Sequence, residues 1–139
     1  MGSRVLTASL REGVSTAKAF QLGDGLVERL VGTYRAYYCE GPRTATIDAD
    51  SGCLDRTCTF EFPNETYTVR VKVGYPRSAE RTGALEVIIS GPDNGVIIDG
   101  SENGRKLIDE AITYITSRQL LKLLTDEVYT RGNHQVCES

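Results

Sequence analysis

A chain of 139 residues can bury a core without metal or disulfide staples, and 40% hydrophobic with 25% charged residues takes it out of the disordered class. A formal charge of −3 withholds the basic surface that general nucleic-acid binding requires, and no apolar run reaches the ~20 residues of a membrane span. The expectation is one soluble domain, residues 1–139, with no nucleic-acid or membrane partner.

The opening Met1 to Thr7 lacks the apolar centre of a secretory signal, which places the protein in the cytoplasm. Leu6, Leu10, Val14 and Ala17 then step at helical spacing and predict a helix from about Thr7 to about Lys18, although Val14, Thr16, Phe20 and Leu22 also suit a strand. Gly23, Asp24 and Gly25 read as a break, with Asp24 capping a short helix, Leu26 to Val31, that Gly32 ends.

Strands follow. From Thr33 to Glu40, Tyr34, Ala36 and Tyr38 alternate with Arg35, Tyr37 and Cys39, and Thr44 to Asp48 turns Ala45 and Ile47 inward. The clearest hairpin sets Cys58, Phe60 and Phe62 against Tyr67, Val69, Val71 and Val73 around a Pro63 to Thr66 loop. Pairing Phe62 with Tyr67 places Phe60 opposite Val69 and Cys58 opposite Val71. Tyr75 to Gly83 is polar and is expected to be a flexible loop. The apolar runs 85–89 and 96–98 lack alternation and predict a second, central hairpin across Gly91 to Gly95.

Ser101 or Asn103 is placed to cap a long C-terminal helix. Its first stripe, Leu107, Ile108, Ala111, Ile112 and Ile115, points away from a second, Leu120, Leu121, Leu124 and Val128. Either the chain kinks near Thr116 to Arg118, or the second stripe packs on something other than its own sheet. A polar tail begins near Arg131. This order of elements predicts an α+β fold: a curved antiparallel sheet of about six strands, with an N-terminal helical segment and a long C-terminal helix on one face.

No motif carries chemistry outright. Cys53, Cys58, His134 and Cys137 have zinc-like spacings, but a straight strand would hold Cys53 and Cys58 on opposite faces, too far apart for one ion. Four free thiols, no metal and no cofactor are expected. Asp48, Asp50 and Asp55 around Gly52 miss the calcium-loop pattern, and Gly100 to Lys106 matches no phosphate-binding fingerprint. The only histidine sits in the tail, and no nucleophile motif is present.

The surplus apolar surface and seven tyrosines point to a non-enzymatic binding or regulatory protein that works as a homodimer, with Leu121 and Leu124 at the subunit contact. The alternative is a small-ligand binder or enzyme whose pocket, between the sheet and the C-terminal helix, is lined by Tyr34, Tyr38 and Tyr67. Arg77 and Arg81 offer a further contact to an acidic or phosphorylated partner.

Overall fold

The computed structural model describes residues 3–34, 37–41, 43–48, 51–63, 65–74, 83–91, 102–120 and 122–129, with backbone alone for 43–48, 51 and 125–129. The chain adopts the expected α+β class. Its strands are β1 (Ser3–Leu10), β2 (Tyr37–Cys39), β3 (Arg43–Asp48), β4 (Ser51–Phe62), β5 (Glu65–Gly74), β6 (Ala84–Ser90) and β7 (Leu124–Tyr129), and its helices are α1 (Thr16–Thr33) and α2 (Glu102–Ile115). The strands form an open antiparallel sheet in the order β2-β4-β5-β6-β1-β7, and β3 joins the edge of β4 that β2 also occupies. Both helices lie on one face, α1 over β4 and β5, α2 over β6 and β1.

The first segment is a strand rather than a helix. Leu6, Ala8 and Leu10 share one face and Thr7, itself fully buried, and Ser9 share the other, and the four-residue step from Leu6 to Leu10 that suggested a helix is also two periods of a strand. Gly13, at φ +86, turns the chain, and Ser15 caps α1 by accepting from the Lys18 amide at 3.3 Å.

Gly23, Asp24 and Gly25 do not break α1 but let it approach its neighbours. A methyl group at Gly23 would lie 2.7 Å from Val73 Cγ1 and 3.1 Å from Leu54 Cδ2, so the helix rests on the sheet through bare backbone. Asp24 is no cap. Its carboxylate accepts from Arg56 Nη1 of β4 at 2.8 Å, tying the middle of the helix to the strand beneath. Thr16, Ala19, Leu22, Leu26, Val27 and Leu30 complete the buried stripe, each large aliphatic contributing about 1.5–3 kcal/mol before ordering costs.

Helix α2 is shorter than expected and ends at Ile115, where Thr116 Oγ1 donates to the Ile112 carbonyl and Ser117 Oγ to that of Tyr114. A single 3-10 turn, Arg118–Leu120, redirects the chain into β7, which pairs with β1. The opposed stripes marked the right place for a change of direction. The segment beyond it is a strand, so Leu120 and Leu124 belong to the core of this same chain. Strand β6 is central, as its unbroken apolar run implied, but its neighbours are β5 and β1; residues 96–98 lie outside the described set.

The helices are joined by Arg29 Nε to Glu110 at 2.8 Å and by the Tyr114 hydroxyl, which donates to the Leu22 carbonyl at 2.9 Å. Burial raises the Tyr114 pKa above its ordinary 10.0, with Glu28 adding to the shift and Arg29 opposing it; burial, then Glu110 and Asp109, raises that of Tyr34. The folded state therefore favours both neutral phenols, and the unfolded chain ionises first. Stability contributed by this preference is complete below about pH 10 and is lost as pH rises through the folded values. The urea midpoint is expected to hold steady up to about pH 9.5 and to fall above it. Tyr114→Phe should cost about 1 kcal/mol at neutral pH and make the alkaline fall shallower. An unchanged alkaline slope in the variant would remove Tyr114 from this account.

Candidate ligand-binding site

Strand alternation divides β4 and β5 cleanly. Leu54, Arg56, Cys58 and Phe60 face the helices opposite Val73, Val71, Val69 and Tyr67, while Asp55, Thr57, Thr59 and Glu61 share the other face with Lys72, Arg70, Thr68 and Thr66. The face assignment matches the sequence expectation, but the register is displaced by two residues, because Phe62 pairs with Glu65 and only two residues form the hairpin connection.

On the helix-free face, Glu40, Gly41, Asp55, Thr57 and Arg70 line an open hollow of about 300 Å³. At its floor Arg70 Nε and Nη2 donate to the two Asp55 carboxylate oxygens at 3.0 and 2.6 Å, a two-pronged pair that fixes both side chains. The Asp55 hydrogen bond raises the Arg70 pKa, partial burial opposes it, and the charges of Asp55, Glu86 and Glu40 add to it. Arg70 thus carries a permanent charge. The Glu40 amide donates to the Thr57 carbonyl at 2.9 Å, which sets the Glu40 residue on the rim. In register, Arg43 of β3 stands opposite Asp55.

Strand β2 bounds the hollow. Tyr37 and Tyr38 are the exposed large hydrophobic residues among those described, at 46% and 67% exposure. Tyr38 pairs with Thr59 and so belongs to the face of the hollow, whereas Tyr37 pairs with Phe60 and lies on the opposite face, its ring 6.3 Å from that of Phe60. Three residues make a weak strand, and a disulfide between Cys39 and Cys58 holds this one to β4. Cys53 is disulfide-bonded as well. The expectation of free thiols fails at these three positions; at Cys39 and Cys58 the cause is that β2 returns along β4 and brings the two directly opposite, a contact that cysteine spacing alone does not reveal.

Of the tyrosines expected to line one pocket, Tyr34 and Tyr67 share a contact with the Phe62 ring, whereas Tyr38 lies on the other face of the sheet. Tyr67 is fully buried beneath the helices, with its ring 5.8 Å from Phe62, and Tyr34 packs edge-on to Phe60 and Phe62 at the end of α1. Tyr38 alone of the three reaches open solvent on the sheet face. The space between sheet and helices where a pocket was expected is packed at these positions by Phe60, Tyr67, Val71 and Leu107. Leu124, expected at a subunit contact, is 1% exposed, and its carbonyl accepts from Arg11 Nε at 2.9 Å. Arg77, Arg81, Leu121, His134 and Cys137 lie outside the described residues.

No group of three or more metal-ligating side chains occurs among the described residues, and none of the described helices is long and apolar enough to cross a membrane. Asn103, expected as a possible cap of α2, instead donates from Nδ2 to Glu65 at 3.0 Å. The hairpin pattern sets Asp55, Thr57, Arg70 and Lys72 on its wet side, but alternation alone does not show that the first three line a hollow. Comparison of the chain with protein-family models, with curated proteins and with solved structures finds no match in any of the three.

Proposed function

We propose that the chain, folded as one domain, is a non-enzymatic binding protein that takes its ligand on the helix-free sheet face beside β2. The observation that carries this reading is the Arg70–Asp55 pair at the floor of the hollow, next to the exposed Tyr38. The pair supplies oriented donors and acceptors without mobile side chains, and a tyrosine with one open face supplies apolar contact at little entropic cost. Asp55 is engaged by Arg70, and the described lining includes no histidine, cysteine or serine, so the arrangement suits recognition better than proton transfer or nucleophilic attack.

Ligand-detected NMR against a mixed library of small polar compounds and short peptides tests this directly. Compounds whose signals broaden with the wild type should recover with Arg70→Gln. A library with no such compound at millimolar concentration, or hits that Arg70→Gln binds equally well, would overturn the proposal.

A second reading keeps protein contacts and a homodimer, and the paired exposure of Tyr37 and Tyr38 favours it. Leu124 drops out of that contact because it is internal. Sedimentation of wild type and of Tyr37→Ser/Tyr38→Ser at high concentration decides it: a dimer that the double variant dissolves supports the β2 edge as the contact. Disulfides also move the proposed setting away from the expected cytoplasm, towards an oxidising compartment where paired cysteines persist.

A further inference from the structure

We infer that the hollow receives one ring of a neutral saccharide, an assignment that rests on the ligand-binding reading above and names its ligand class. The first argument is charge. Asp55 and Arg70 neutralise each other through their two hydrogen bonds, which leaves Glu40 as the remaining charge of the described lining, so the site offers no net positive field to hold an anion. The second is hydrogen bonding. Arg70 has five N–H donors and commits two to Asp55; the remaining donors, the carboxylate oxygens of Glu40 and Asp55, and the Thr57 hydroxyl together form a mixed donor and acceptor array. Adjacent ring hydroxyls, each at once donor and acceptor, match such an array, whereas a purely anionic or purely cationic group would leave half of it unanswered.

Shape and surroundings agree. About 300 Å³ is at the small end of ligand sites and accommodates a single ring. Tyr38 stands two residues along the chain from Glu40 on the same face, 67% exposed, where its ring can meet the C–H face that a sugar presents beside its hydroxyls. Outside the hollow, Thr59, Thr66 and Thr68 continue a hydroxyl surface along β4 and β5, with Glu61 opposite Thr66, over which further sugar units could extend.

The test is a glycan array carrying neutral oligosaccharides and the same structures ending in acidic sugars, followed by calorimetry with the best array ligand and with its free terminal monosaccharide. Neutral glycans should be retained, and Tyr38→Ala, Thr57→Val and Arg70→Lys should each weaken binding about tenfold, while Tyr37→Ala on the opposite face changes it by less than about twofold. Thr57→Val preserves side-chain shape, and equal melting temperatures separate lost contacts from lost folding. Competition by the free monosaccharide would assign a soluble sugar, and its failure would assign a glycan terminus. Retention of acidic glycans alone, or peptide hits alone in the NMR library, would overturn the neutral-saccharide assignment and leave the binding-protein reading standing, as would full binding by Tyr38→Ala. Failure of every compound on the array and in the NMR library would overturn both.

Discussion

Replacing Cys39 and Cys58 together by alanine is expected to lower the unfolding free energy by about 3 kcal/mol, the loop-entropy contribution of a bond that joins residues 19 apart in sequence. Against the 5–15 kcal/mol typical of a domain, that loss is large, and for a chain of this size it corresponds to a melting temperature about 10 °C lower. The double variant is a cleaner probe than a reducing agent, because reduction would also release the bond at Cys53. Urea denaturation at a shared m value is the measurement. Since β2 contributes only three paired residues, its strand contacts cannot replace the covalent link, and ligand binding that depends on Tyr38 should weaken in parallel. An unchanged midpoint would mean that β2 is held by its packing on Phe60 and that the disulfide is dispensable.

The second large effect is expected from Gly23→Leu, which should cost more than about 3 kcal/mol, at or beyond the usual upper range for overpacking. The whole side chain would have to enter the space held by Val73 and Leu54, where even a methyl group already lies within 3.1 Å of both. Gly32→Ala in the same helix makes the contrast. Nothing lies within 4 Å of its added methyl, so the ordinary helix preference for alanine should stabilise the protein by up to about 1 kcal/mol. Chemical denaturation of both variants reads the two signs. Equal, mild effects would show that α1 can lift from β4 and β5 without loss.

Periodicity recovered much of the fold where a short stretch had only one plausible period. The β4–β5 hairpin, with Phe60 and Tyr67 alternating against Thr59 and Thr68, was legible as to face, but sequence alone left the loop length open and with it a two-residue choice of register. The Leu6 to Leu10 step fits both a helix and a strand, and β1 became a strand because β6 and β7 flank it on either side, information no local window contains. Gly23 and Gly25 normally punctuate a helix; here their missing side chains admit Val73 and the Tyr114 hydroxyl, a tertiary cause invisible in the glycines themselves. The site was partly legible. Tyr38 was singled out, but with Tyr34 and Tyr67 as companions rather than Thr57 and Arg70, because its side of the sheet depends on pairing with Thr59, twenty-one positions away.

The edge of β4 has a consequence for behaviour in concentrated solution. A twelve-residue strand left bare would display a long row of unmet amide and carbonyl groups, the template on which a foreign strand adds and from which fibrils grow. The chain instead covers that row with two short pieces, β2 and β3, laid end to end, and anchors the shorter with a covalent bond. What remains at this border is interrupted between Cys39 and Arg43, so an incoming strand finds no uninterrupted run as long as β4 itself. Loss of the Cys39–Cys58 link would then register first as a tendency to aggregate, before any loss of the helical signal.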